Sequence, residues 1–313
     1  MSTRALSLVG LIGLLWVCGL QSSPSPRALL AELEEKSASD GLMIAGVMNR
    51  NFMVFPFSGS PFVRRFFNYN VGAARIAPDG TAVLGYWGLE DDPGIPARRF
   101  ALITAEGRVI ALLNRDVVNV ADFAVASDRM ALVFAGKDPA TGEVGIFVGK
   151  LGTTDIDLIV PLLSHSGAPG ETAVAWIPDG SAVLFSRDGE VWTYDVGSRQ
   201  TSLLFRAGTN PSCSPDGQRI AYRDPNGYAV ITSRLGTGAK RASRGPIDGY
   251  IHWSPDSAYY FVDEKVPRAS PQRCPFGSCF VVYRLRDGSR LELQGTDRKD
   301  SFFGWLRGPW SVR

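Results

Sequence analysis

Residues 214–222 read Ser214-Pro215-Asp216-Gly217-Gln218-Arg219-Ile220-Ala221-Tyr222. Proline fixes φ at the first corner of a turn, aspartate can bond its own backbone at the second, and glycine takes the positive φ that follows. The hydrophobic run after it makes the segment a turn that enters a strand. Working outward, the same element recurs as Ile76-Ala77-Pro78-Asp79-Gly80 and Ile177-Pro178-Asp179-Gly180. Trp253-Ser254-Pro255-Asp256-Ser257 keeps all but the glycine, and Val125-Ala126-Ser127-Asp128-Arg129 is a degraded copy.

The aspartates fall at 79, 128, 179, 216 and 256, intervals of 49, 51, 37 and 40 residues. That is the scale of one four-stranded propeller blade. The copy around Asp179 shows the unit in full, with strands predicted over 172–177, 181–187, 190–195 and 200–206 and turns between them. Toward the ends, 41–48, 51–57 and 61–67 read as three strands without a first one, and 301–306 reads as a first strand with nothing after it. Pairing the last strand with the first three gives a sixth blade and removes open sheet edges. The fold expected is therefore all-β, a six-bladed β-propeller of four-stranded antiparallel blades closed by its N- and C-terminal strands.

These residues resemble the TolB-type propeller repeat, in which a strand ending Trp-Ser-Pro-Asp-Gly precedes one like Ile-Ala-Tyr. The resemblance runs from about residue 41 to the C-terminus and implies a TolB-like, WD40-like-repeat scaffold. TolB also carries an α/β domain before its propeller, and residues 22–40 are too few to supply one, so a role in the Tol–Pal system is not carried over. The hydrolase domain of prolyl-oligopeptidase-like enzymes has no room either.

Arg4, the uncharged apolar run 5–20 and the polar Gln21-Ser22-Ser23-Pro24 have the layout of a secretory signal. The organisation expected is a signal peptide or N-terminal anchor at 1–22, a linker helix at 23–40 and the propeller at 41–313. The linker helix is a spacer or packing segment with Leu29, Leu30 and Leu33 on one face. Cys18 follows Trp16-Val17, a poor lipobox, but keeps lipidation open. Export to the periplasm, the cell envelope or the medium would permit a disulfide between Cys274 and Cys279 in Cys-Pro-Phe-Gly-Ser-Cys, with Cys213 left as a core thiol.

With 33 basic and 31 acidic residues, the net charge is +2, and no nucleic-acid partner is indicated. No Gly-x-Ser-x-Gly elbow and no His-Glu-x-x-His occurs, and the only histidines are His165 and His252. The repeated Pro78, Asp79, Gly80, Pro178, Asp179, Gly180, Pro215, Asp216, Gly217, Pro255 and Asp256 are explained as turns rather than ligands. Glu90-Asp91-Asp92 reads as a solvated loop, and Arg64-Arg65, Arg98-Arg99 and Lys240-Arg241 as solvated faces. No catalytic residue, cofactor or metal is indicated. The function expected is a non-enzymatic module that binds a protein or peptide through its loops and central funnel. The loop 264–278 is the first candidate surface. A carbohydrate-active hydrolase or lyase is the alternative, and its acids and bases would converge in the channel, where Asp122, Asp248 and His252 are the residues to inspect. A third reading is a sensory propeller that touches the membrane only through an uncleaved N-terminus.

Overall fold

The computed structural model describes residues 26–48, 51–57, 62–63, 73–87, 99–104, 108–162, 172–265, 278–293 and 301–308. Helix α1 (Pro26–Asp40) precedes the strands. Strands β1 (Met43–Met48), β2 (Asn51–Pro56) and β3 (Phe62–Val63) form a sheet with β23 (Ser301–Leu306), in the order β23-β1-β2-β3. A second sheet holds β4 (Ala73–Ile76), β5 (Ala82–Trp87), β6 (Arg99–Thr104) and β7 (Val109–Leu112). A third holds β8 (Val118–Val125), β9 (Ala131–Lys137), β10 (Val144–Lys150) and β11 (Ile156–Pro161). A fourth holds β12 (Val174–Trp176), β13 (Ala182–Arg187), β14 (Glu190–Asp195) and β15 (Gln200–Phe205).

The fifth sheet has seven strands. It runs from β16 (Thr209–Cys213), β17 (Arg219–Arg223) and β18 (Tyr228–Ser233) through β19 (Lys240–Trp253) to β20 (Tyr259–Lys265), β21 (Ser278–Arg284) and β22 (Arg290–Glu292). β19 is long enough to serve two partners. Its first half pairs with β18 and its second half with β20, so two four-strand groups share it. Every pairing between neighbours is antiparallel, including that of β1 with β23, where Ile44 lies opposite Trp305.

The recurring motif links the first and second strands of five of these groups. In each copy the aspartate Oδ1 accepts the backbone N–H two residues on, from Thr81, Met130, Ser181, Gln218 and Ala258. The next residue donates its N–H back across the turn: Gly80 to Ala77, Arg129 to Ala126, Gly180 to Ile177, Gly217 to Ser214 and Ser257 to Ser254. That residue has φ between 57° and 76° in every copy, whether or not it is glycine.

Inner strands are buried on both faces: in β9, Leu132 and Phe134 pack into one cluster and Val133 and Ala135 into the next. Phe100, Phe123, Phe134 and Phe147 interlock between the second and third sheets, with ring centroids 5.0–5.3 Å apart. Leu29 and Leu33 of α1, one turn apart, are fully buried against Leu42, Ile44, Tyr259, Phe261, Val282 and Trp305. Leu30 is only partly buried. The Glu32 carboxylate accepts hydrogen bonds from Tyr259 and Arg284, and from Arg286 at 3.0 Å, while Lys36 pairs with Asp256 at 2.6 Å. The helix therefore lies on the sheets and closes part of their core.

A Cβ at Gly180 meets nothing within 4 Å, so Gly180→Ala isolates the conformational cost of positive φ. It should lower unfolding stability by about 1 kcal/mol in urea titration. Arg199, exposed at φ 58°, is the mirror case, and Arg199→Gly should raise stability by a similar amount.

Candidate functional site: a pocket between the first strands

Residues of β4, β8, β12, β16, β19 and β23, the first strand of every four-strand group, line one pocket of about 160 Å³. Three of these strands carry irregularities, with register shifts after Val118, Thr209 and Asp248 and positive φ at Asn119, Asn210 and Gly249. A bulge of this kind re-aims the side chains that follow it. Asp122, Ser212 and Tyr250 come next in their strands.

Asp122 is almost wholly buried and is fully engaged. Its Oδ1 accepts from the Arg75 guanidinium, and its Oδ2 accepts the Val174 backbone N–H at 2.9 Å. Arg75 also lies over the Tyr250 and Phe123 rings, 4.9 and 5.5 Å from their centroids. One charge pair thus ties together β4, β8, β12 and β19. Burial, reinforced by the Asp122 charge, holds the Tyr250 hydroxyl protonated far above its ordinary range.

His252 stacks on Phe261 with centroids 4.6 Å apart. Burial, and then the Arg75 charge, push its pKa from 6.5 down to about 3, so it is neutral at ordinary pH. The indoles around it are bonded in sequence: Trp305 Nε1 donates to the His252 carbonyl at 2.9 Å, and Trp253 Nε1 to Ser212 Oγ at 3.2 Å. Trp176 Nε1, also buried, has no hydrogen-bond partner among the described residues. Cys213 is a free, half-buried thiol on the pocket wall, and burial pushes its pKa up to about 12.

Of the three channel residues read from sequence, the structure brings Asp122 and His252 to this neighbourhood. Asp248 is instead exposed and paired with Lys265 at 2.8 Å. The pocket lining therefore presents a neutral imidazole, the paired Arg75 guanidinium and aromatic faces. These are binding groups. His165, Cys274, the Glu90-Asp91-Asp92 cluster and residues 266–277 of the candidate loop lie outside the described residues. Cys279 is buried in β21.

Sequence reasoning passed over Arg75, Tyr250 and Trp176. Alignment of the copies on their aspartates was the available signal. It places Arg75 and His252 where the other copies have Ala124, Ala175 and Ser212, so two large polar residues replace small ones at a position that lines the pocket.

No protein-family model matches the chain, and no curated protein matches it. A solved structure from Agrobacterium tumefaciens described as "putative TolB" aligns with a TM-score of 0.54 at 15% identity, covering 86% of this chain and 98% of that one.

In the unfolded chain the His252 imidazole takes up a proton near 6.5, but in the folded protein only near 3. The unfolded state binds more protons across that window, so this contribution is complete above pH 6.5 and is lost as pH falls toward 3. His252→Phe keeps the ring stack and should flatten that slope. Urea midpoints of the wild type and the variant, measured on both sides of pH 6.5, check this, and parallel curves would refute it.

Proposed function

We propose that this chain, TolB-like in fold, is an exported six-bladed β-propeller that holds a protein or peptide partner and performs no catalysis of its own. Six four-strand groups, the pairing of β1 with β23 and a pocket lined by all six first strands support a closed ring. The four-stranded repeat length in the sequence points the same way. The apolar run near the N-terminus supports export, and the buried position of Cys279 suits a disulfide to Cys274.

One observation carries the binding reading. The acid at the centre, Asp122, is consumed by Arg75 and by a backbone N–H, and the nearby imidazole is held neutral. General acid–base work needs a group poised near the operating pH and free to exchange its proton; the imidazole is not poised there, and both Asp122 oxygens are already engaged. What remains suits recognition, namely aromatic walls and a hydrogen-bond donor on a rigid scaffold. Fold likeness by itself assigns no partner.

The test is crosslinking in the native host with the protein tagged at its C-terminus, followed by mass spectrometry of the adducts. A stoichiometric envelope protein, lost with Trp176→Phe or with a substitution in 264–278, is the expected result. Turnover of a sugar or peptide substrate that disappears with one pocket substitution would overturn the reading. The same sample, mapped without reduction, should yield the peptide linking Cys274 to Cys279 and a mature N-terminus beyond the apolar run.

A further inference from the structure

Lys240 and Arg241, read from sequence as a solvated face, sit with Arg244 on the rim of a second concavity. This cleft, of about 1180 Å³, lies between β17–β19 on one side and β20–β21 on the other and shares no residue with the central pocket. Its lining holds six cationic side chains and a single acid, Glu32. Three of the cations are matched: Arg284 and Arg286 by Glu32, and Arg219 by Asp216. Lys240, Arg241 and Arg244 make no ion pair among the described residues. Arg241 bonds only to the carbonyls of Ser243 and Arg244, at 3.1 and 2.6 Å, with its guanidinium over the Tyr228 ring.

Lys240 and Arg241 end a paired stretch of β19, and Arg244 stands on a fixed excursion of the backbone just beyond it. Opposite Tyr228 and Val230, two residues apart, lie Pro246 and Arg241, five residues apart, so 242–245 bulge from the ladder. Ser243 Oγ accepts the Ala229 N–H at 3.0 Å and donates to the Gly245 carbonyl at 2.7 Å. The Gly245 N–H donates to Glu264 Oε1 at 2.9 Å, and the Arg244 N–H donates to the Tyr283 hydroxyl at 3.2 Å. Glu264 is 2% exposed, and a Cβ at Gly245 would stand 2.6 Å from the Lys265 carbonyl. The bulge is locked, and it sets Arg244 beside Lys240 and Arg241 at a cleft floored by the stacked pair Tyr260–Tyr283, with centroids 5.2 Å apart.

We infer that this cleft binds an acidic segment of a partner polypeptide. Its carboxylates would meet Lys240, Arg241 and Arg244, and its backbone would meet the hydroxyls of Ser233 and Thr237. Concavity favours a chain over a bilayer, because an extended segment can enter the cleft that these cations border and a flat lipid surface cannot. Net charge of +2 argues against nucleic acid, which needs a longer basic track. This surface is separate from the central pocket and stands whether or not that pocket has a partner.

The experiment is fluorescence anisotropy of a labelled, Glu-rich peptide of about a dozen residues on the full chain, at two salt concentrations. Its controls are a Lys-rich peptide, an oligonucleotide and vesicles containing an anionic lipid. Saturable binding of the acidic peptide is expected, weakened by salt and at least about tenfold by Lys240→Glu with Arg244→Glu. The charge-neutral pair Lys240→Gln and Arg244→Gln should lose part of it. Arg199→Gln removes an exposed cation elsewhere and should leave it unchanged. Undiminished binding in a folded double variant, or no saturable peptide binding by the wild type, overturns the inference. Tighter binding of the oligonucleotide or the vesicles overturns the assignment to a polypeptide.

Discussion

A carboxylate that accepts the N–H two residues ahead, followed by a residue held at positive φ, sets the geometry on which the rest stands. Glycine fits that conformation at three of the five turns, yet Arg129 and Ser257 adopt it at 59° and 57°. The geometry is therefore imposed by the hydrogen bonds and not by glycine alone. A strain of about 1 kcal/mol at each non-glycine residue is offset by two backbone bonds that would otherwise be unmade. The turns also join neighbouring sheets. Arg129 reaches Asp79, Arg234 reaches Asp179 at 2.7 Å, Ser257 Oγ accepts the Asp216 N–H at 3.0 Å, and Lys36 of the helix reaches Asp256. The bonds of Asp179 to Ser181, with Arg234 beyond, hold its pKa down to about 2. Each aspartate thus bonds its own turn, and the turns of Asp79, Asp179, Asp216 and Asp256 also reach a neighbouring element.

The turns aim the first strands inward, and the residues just before them decide how closely those strands approach. Ala124, Ala175, Ser212 and Gly304 line the pocket with little bulk, and a Cβ at Gly304 would meet Ile76 at 2.5 Å. Arg75 and His252 break that rule, and each is compensated, the cation by Asp122 and the imidazole by deprotonation and stacking. A buried charge is tolerable only when paired and hydrogen-bonded, and Asp122 meets both conditions through strands far apart in sequence.

The fold was largely legible because its signals are local. Turn chemistry and the alternation of short apolar runs depend on residues within one hairpin, and the strands predicted around Asp179 match β12–β15 to within two residues at each end. The site was less legible because its contacts are long-range. Asp122 meets Arg75 across 47 residues and the Val174 N–H across 52, and no periodicity encodes either. Asp248 and Asp122 look alike as lone acids near first strands. Only register separates them, the bulge after Asp248 turning one outward to Lys265 while the other is buried. Helix α1 was seen as a helix, but its docking rests on Glu32 meeting Tyr259 and Arg284 more than 220 residues away.

The same distinction governs the basic cleft. Lys240, Arg241 and Arg244 in a linear reading are three hydrated charges, and what changes their meaning is Glu264, buried one strand away. A buried carboxylate carries a desolvation cost that only several directed bonds offset. Here the Gly245 N–H, the Tyr283 hydroxyl and Arg290 all converge on it. An apolar residue at 264 would strand the Gly245 N–H and remove one of the acceptors that hold 242–245 out of the ladder. The acid therefore acts on conformation: it helps to select the bulged path of β19, and that path sets Arg244 beside Lys240 and Arg241.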